Sequence, residues 1–194
     1  IAIPTFLGVS GSANDRAAQS NLTNALTEVK ALYQNTQSYA ILSLPSATLA
    51  ASAPEFTWSQ NAAIATEGTS LVSEYPVDVA SAADGQGVIL ATYSKTGTCW
   101  YVVDLETAPS GTKLTPDTGG TAVFYGATSG ADAQENGGAA FTQAGVYYAQ
   151  VANATNHASS GLPAGLAETC NASNPMTVTG QWNWGTSYSN APQG

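Results

Sequence analysis

Positive charge is nearly absent from this sequence. Its 194 residues include four lysines and arginines against thirteen aspartates and glutamates, which gives a formal net charge of −9. Proteins that bind nucleic acid or an anionic lipid surface need clustered basic side chains. The four basic residues here are instead dispersed along the chain, at Arg16, Lys30, Lys95 and Lys113. The composition therefore argues against both kinds of partner.

Histidine is also scarce, and this limits the chemistry available to the chain. The single histidine, His157, lies in a polar stretch, and no Gly-x-Ser-x-Gly motif is present. Ser-His-Asp catalysis requires a positioned histidine, and one histidine with two cysteines cannot complete a tetrahedral zinc site. No two of the thirteen acids stand out as a glycosidase dyad. We therefore predict no catalytic residue and no cofactor, with an acid-active hydrolase as an alternative.

Calcium is the metal ion that acidic side chains near loops could bind, because it prefers carboxylate oxygens as ligands. No spacing among these acids matches an EF-hand, so we interpret them as solvated loop residues and predict no metal site. The acids near predicted loops are Asp78, Asp84, Asp104, Asp117, Asp132 and Glu135.

The two cysteines, Cys99 and Cys170, lie far apart in the sequence. In an exported chain such a pair predicts a disulfide rather than a metal site. The bridge would close a loop of about 70 residues. In the chain-entropy model such a loop increases the free energy of unfolding by about 4 kcal/mol. Two buried free thiols are the alternative.

The N-terminal 39 residues carry the clearest pattern. Residues 1–9 are almost wholly apolar, and a break is predicted at residues 8–12. The run is too short to span a bilayer, which needs about 20 apolar residues, so we expect it to end a longer segment. An amphipathic helix is then predicted from Asn14 to Gln37, capped by Ser12, Asn14 or Asp15. Its apolar face comprises Ala18, Leu22, Ala25, Leu26, Val29, Leu32 and Tyr33.

Beyond the helix the apolar residues alternate as in β-strands. The strongest signal is a hairpin of residues 88–94 and 98–105 around Lys95-Thr-Gly97, with Ile89, Ala91 and Tyr93 on one face and Trp100, Val102 and Asp104 on another. Residues 40–70 are predicted as a connector with one short strand. Further strands are predicted at 70–75, 77–79, 121–125, 176–184 and from Val146, separated by long loops.

The fold class is therefore α+β, a helix on an antiparallel sheet. The helix of residues 1–39 and the β-rich head of residues 40–194 form one domain.

The segment Ala2-Ile3-Pro4-Thr5-Phe6, followed by a small-residue break and an amphipathic helix, resembles the type IV pilins and the pseudopilins of type II secretion. The resemblance covers residues 1–39, and the hairpin is similar to the meander of the pilin head. It implies a pilin-like fold, in which the helix is the spine of the head. The family's Phe-Thr-Leu-Ile-Glu start is absent, Cys170 lies well before the C-terminus, and the region after residue 106 is long. A major pilin, a minor pilin and a pseudopilin all remain open.

The resemblance implies a non-enzymatic structural subunit of an extracellular, cell-surface filament. Its partners would be copies of itself in a helical homo-oligomer, the pilus assembly machinery and, before assembly, the membrane that holds the missing N-terminal segment. The implied assembly interface consists of Ile1, Ile3, Pro4, Phe6 and Leu7.

A secreted glycan-binding module is the alternative from another functional class. Aromatic side chains stack on sugar rings, although packing in the core is their more common role. The candidate glycan contacts are Trp182, Trp184 and Tyr188, together with Tyr147 and Tyr148.

Overall fold

The computed structural model describes residues 3–40, 46–60, 68–79, 84–108, 115–116, 143–151, 170–172 and 186–188. These residues form two helices and six strands. The helices are α1 (Ile3–Thr36) and α2 (Ser46–Ser52), and the strands are β1 (Thr57–Gln60), β2 (Gly68–Asp78), β3 (Gly87–Tyr93), β4 (Cys99–Leu105), β5 (Thr115–Pro116) and β6 (Gly145–Val151).

Helix α1 runs without interruption for 34 residues, so the predicted break at residues 8–12 is wrong. A single glycine inside a helix costs only about 1 kcal/mol relative to alanine, which neighbouring helical residues can offset. Pro4 lies in the first turn, where its missing N–H would have had no partner within the helix. The predicted caps at Ser12, Asn14 and Asp15 are wrong for the same reason, because all three lie inside the helix.

The end of α1 agrees with the prediction. The helix stops at Thr36, and Gln37 follows in the left-handed region with φ 57°. The Gln37 N–H donates to the Tyr33 carbonyl at 2.6 Å, which closes the last turn. The chain reverses here and brings Tyr39 back beneath the helix, where its side chain is fully buried.

The strands form one sheet in the order β1-β2-β3-β4-β6, with β5 paired to β2. All pairs are antiparallel except β1 with β2. The predicted hairpin is confirmed: Tyr93 pairs with Cys99, and Gly97 takes a positive φ of 80° in the connecting loop. The described part of the chain is therefore α+β, with a helix against a mostly antiparallel sheet, as predicted.

Two parts of the strand prediction need correction. Strand β2 continues through Pro76, which falls between the residues that pair with β1 and those that pair with β5. On that edge no described strand needs the N–H that proline lacks. The connector of residues 40–70 contains helix α2 as well as strand β1. The predicted strands at 121–125 and 176–184 lie outside the described residues.

The sheet is buried on both faces. One face packs against α1 and α2, as the contacts of Leu22, Leu49, Trp58, Leu90 and Val102 show. The other face forms a second core, whose members include Ile89, Ala91, Tyr93, Tyr101, Val103 and the disulfide. The predicted division of the hairpin side chains between two faces is therefore correct. All seven residues of β3 and all seven of β4 are buried, so this hairpin is the centre of the domain.

Helix α1 is much longer than the sheet it covers. Its 34 residues extend about 51 Å, whereas a seven-residue strand such as β4 extends about 24 Å. Among residues 11–36, whose burial the structure describes, the buried ones run from Ala18 to Tyr33, a distance of about 23 Å. Residues 11–17 are exposed or half-buried. Helix α1 thus consists of a packed C-terminal half and an N-terminal half that continues past the sheet.

Candidate functional site

The packed half of α1 is joined to the sheet by a polar group that we call the junction cluster: Lys30, Tyr39, Asp104 and Glu106. Asp104 lies at its centre with 1% of its surface exposed. Lys30 Nζ donates to Asp104 Oδ1 at 2.9 Å, and the Tyr39 hydroxyl donates to Asp104 Oδ2 at 2.6 Å. Both donors also reach Glu106, at 3.4 Å from Lys30 and 3.2 Å from Tyr39. The cluster therefore connects the helix, the segment after it and the end of β4.

The electrostatics of the junction cluster follow from its burial and its one cation. Burial raises the pKa of Asp104, and the hydrogen bonds from Tyr39 and Lys30 oppose that shift. Burial would lower the pKa of Lys30, but its contacts with Asp104 and Glu106 outweigh that effect and raise it. Burial would also raise the pKa of Glu106, but its hydrogen-bonded and charged neighbours leave it lowered. Lys30 thus stays charged, and the cluster holds it against the sheet.

A second polar contact lies near the start of the packed half, at the β3–β4 turn. Asp15 accepts hydrogen bonds from Thr96 Oγ1 at 2.5 Å and from Trp100 Nε1 at 3.4 Å. We call this group the turn contact. It fixes α1 at the point where the helix leaves the sheet, while the junction cluster fixes it near its C-terminal end. Because the two anchors lie about four turns apart, the helix cannot pivot on the sheet without breaking one of them.

The exposed face of α1 is uncharged apart from one residue. Between residues 11 and 36 the exposed side chains are short or polar, and Arg16 is the only charged one among them. The others are Ser12, Ala13, Ala17, Ser20, Thr23, Asn24, Thr27, Ala31, Gln34, Asn35 and Thr36. Short side chains allow close approach of another helix, although they do not by themselves define a binding site.

The predicted disulfide is confirmed. Cys99 in β4 is bonded to Cys170; their Cα atoms are 5.5 Å apart, and the two residues are separated by 71 positions in sequence. The bond holds residues 170–172 against the sheet face opposite α1, where the Ala172 N–H donates to Ser73 Oγ at 3.1 Å. The disulfide therefore ties a distant part of the chain to the central hairpin.

The structure places the predicted interface residues only in part. Ile3, Pro4, Phe6 and Leu7 lie in the first turns of α1, in the half that continues past the sheet. Ile1 lies outside the described residues. Their role as an assembly interface remains a prediction.

The candidate glycan contacts lie partly in the described chain. Trp182 and Trp184 lie outside it. Tyr188 is half-buried, with ring centroids 5.7 Å from Trp100 and 4.4 Å from Tyr148. Tyr147 and Tyr148 are neighbours on β6 and so point to opposite faces of the sheet. Tyr188 thus packs in an aromatic group at the edge of the helix-facing core.

Asp84 and Asp104, two of the acids considered as calcium ligands, have other roles, and Asp78 lies at the end of β2. Asp84 Oδ1 accepts hydrogen bonds from the backbone N–H groups of Val79 at 2.9 Å and Gln86 at 3.1 Å, which links the residue after β2 to the residue before β3. Asp104 belongs to the junction cluster. Within the described ranges no group of three or more His, Cys, Asp or Glu side chains could hold a metal ion. His157, Asp117, Asp132 and Glu135 lie outside those ranges.

The polar residues that connect the helix to the sheet were missed by sequence reasoning. Lys30 and Asp104 are 74 positions apart, and Asp15 and Thr96 are 81 apart. No local pattern pairs residues at such separations. A weak signal did exist for Asp104, because it lies on the same face of its strand as Trp100 and Val102, where a charge needs a partner.

Comparison with protein-family models, with curated proteins and with solved structures found no match to this chain. In the described part of the chain, no helix combines the length and the apolar character needed to cross a membrane.

Proposed function

We propose that this chain is a structural subunit of a type IV pilus-like extracellular filament, which polymerises through its apolar N-terminal helix. The observation that carries the proposal is the length of α1. About 22 Å of helix, residues 3–17, precedes Ala18, and residues 11–17 of this stretch are exposed or half-buried. The first turns of this projecting half have the sequence Ile-Pro-Thr-Phe-Leu. An apolar helical extension of this kind gains stability by packing against copies of itself.

The attachment of α1 to the head also supports the proposal. A filament subunit must transmit load between its assembly helix and its head without the two separating. The turn contact and the junction cluster anchor α1 at both ends of its packed half, and the disulfide ties residues 170–172 to the opposite face of the sheet. The helix and the head would then move as one rigid unit within the filament.

The exposed face of α1 suits close packing of subunits. It carries one charge, Arg16, and otherwise short or polar side chains. Away from Arg16, neighbouring helices could approach this face without burying unpaired charges, whose burial is costly. The head, with most of the chain's acidic residues, would form the outer surface.

The test uses the native precursor, including whatever sequence precedes Ile1, expressed in its host. Filaments sheared from the cell surface are examined by electron microscopy, and their subunits are identified by mass spectrometry. We expect filaments that contain this chain, and we expect Phe6→Asp or Leu7→Asp to abolish them, because each places a charge in the apolar contact. Ala51→Asp, on the exposed surface of α2, is the matched control and should leave filaments intact.

The outcomes separate the alternatives. Abundant filaments built from this chain indicate a major pilin, whereas trace amounts indicate a minor pilin or a pseudopilin. Filaments that persist with Phe6→Asp would refute the assembly interface. Free secretion without filaments, together with saturable binding to a glycan panel, would refute the filament proposal in favour of the glycan-binding module.

A further inference from the structure

Glu74 is a carboxylic acid buried inside the core between the helix and the sheet. It lies in β2 opposite Leu90 and two residues after Val72, and both of these neighbours belong to the core that faces α1. Successive residues of a strand alternate between faces, so Glu74 points to the same side as Val72. Its exposed fraction is 0%.

Neither carboxyl oxygen of Glu74 has a hydrogen-bond partner in the described part of the chain. The sequences of α2 and β1, which border this core, contain no ionisable residue. The only ionisable residue of β3 is Tyr93, which lies on the opposite face. The ionisable groups of α1 are engaged or directed elsewhere: Asp15 with Thr96, Lys30 with Asp104 and Glu106, Tyr33 with Gln86, Arg16 exposed and Glu28 half-buried. None of these ionisable groups therefore offsets the cost of burying a charged carboxylate at Glu74.

An isolated carboxylate is strongly disfavoured in such a place, whereas the neutral acid is tolerated. Burial accordingly raises the pKa of Glu74 to about 8. Glu74 belongs to neither the turn contact nor the junction cluster. A leucine or methionine would fill the same position without making stability depend on pH.

We propose that Glu74 is a pH-sensitive switch within the head: it is held as the neutral acid in the folded protein, and its ionisation in alkaline solution loosens α1 from the sheet. The direction follows from linkage. Between the ordinary glutamate pKa and the raised pKa, Glu74 is protonated in the folded state but ionised in the unfolded state. The contribution of Glu74 to stability is therefore greatest below the ordinary pKa, and it is lost as the pH rises to the raised pKa of the folded state. Between pH 5 and pH 8 this one group should increase the unfolding equilibrium constant about 400-fold.

The experiment compares the wild-type chain with Glu74→Gln, which has nearly the same shape but cannot ionise. Denaturant unfolding is measured from pH 5 to pH 9 with the disulfide intact. We expect the wild type to lose stability relative to Glu74→Gln as pH rises, by the factor given above. Glu55→Gln, at an exposed position, is the matched control and should keep the wild-type dependence on pH. Equal pH dependence in wild type and Glu74→Gln would overturn the proposal.

Two measurements keep the test decisive if Glu74→Gln does not fold. The carboxyl ¹³C resonance of Glu74 in the wild type should titrate near pH 8, and titration near pH 4.5 would overturn the proposal. Hydrogen exchange at pH 8, corrected for the intrinsic rate, should show lower protection of residues 18–33 than at pH 6. Unchanged protection of these amides would contradict the loosening of the helix.

Discussion

Replacing Tyr39 by phenylalanine tests whether the junction cluster holds the helix on the sheet. The change removes one hydroxyl, which donates to Asp104 at 2.6 Å and to Glu106 at 3.2 Å. The ring remains, so its packing on Tyr33, with ring centroids 4.5 Å apart, is retained and no large cavity forms. The effect on stability therefore reports on the lost hydrogen bonds alone.

The expected magnitude follows from the burial of both partners. A hydrogen bond to a charged group contributes about 1.5–3 kcal/mol, and the loss is greatest where water cannot replace the donor. Tyr39 is fully buried, and 1% of Asp104 is exposed. We therefore expect Tyr39→Phe to lower the free energy of unfolding by about 2–3 kcal/mol. Tyr33→Phe is the matched control, because its hydroxyl donates at 2.7 Å to the neutral side chain of Gln86. It should cost about 1 kcal/mol.

The cost of Tyr39→Phe should also depend on pH. The Tyr39 hydrogen bond opposes the rise that burial causes in the pKa of Asp104, so removing it raises that pKa further. A group whose pKa is raised in the folded state contributes stability at low pH and loses it as pH rises. The difference between the wild type and Tyr39→Phe should therefore be largest near pH 7 and should shrink in acid, where Asp104 is protonated.

Chemical denaturation followed by tryptophan fluorescence, at pH 7 and pH 4, measures both effects. The reasoning is refuted if Tyr39→Phe costs no more than Tyr33→Phe, or if its cost is the same at the two pH values. Either result would mean that the Asp104 carboxylate does not depend on this donor in the folded protein.

Two further predictions concern the backbone and the disulfide. Gly85→Ala should lower the free energy of unfolding by about 2 kcal/mol or more, because Gly85 has φ +55° and an added Cβ would lie 2.7 Å from the backbone nitrogen of Ala40. Gly97→Ala, with φ +80° but an added Cβ only in ordinary contact with the Tyr93 hydroxyl at 3.9 Å, should cost only about 1 kcal/mol, and equal losses in denaturant melts would contradict the steric argument. Replacing Cys99 and Cys170 together by alanine should lower stability by about 4 kcal/mol, since the bridge spans 71 positions. A loss below about 1 kcal/mol in the same melts would show that the unfolded chain is not constrained as the loop-entropy model assumes.

The elements that could be predicted from sequence depend on local interactions. The 3.6-residue period from Ala18 to Tyr33 places a helix face, and the three-residue loop ending at Gly97 indicates a hairpin with a left-handed residue. Both are confirmed. The break at residues 8–12 was wrong because glycine and serine there lower the local preference for a helix without abolishing it.

The candidate site depended on contacts that no local pattern contains. The cysteines alone indicated a disulfide, because only two are present, and the structure confirms it. The pairing of β1 parallel to β2 and the burial of β3 and β4 on both faces could not be predicted, since each depends on which segments meet across the sheet. Long-range pairing of this kind is decided by the summed burial of the whole domain.

The sequence by itself determined the helix face, the central hairpin, the disulfide and the scarcity of positive charge, because each follows from composition or from residues close together in the chain. Only the tertiary structure decided that α1 continues past the sheet and that Lys30 meets Asp104. It also decided that the Glu74 carboxyl group lies in an apolar core without a hydrogen-bond partner among the residues that the structure describes. A strand sequence shows that a residue alternates between two faces, but whether a face is covered by water or by a helix depends on the packing of distant elements. The charge state of a carboxyl group follows from that packing.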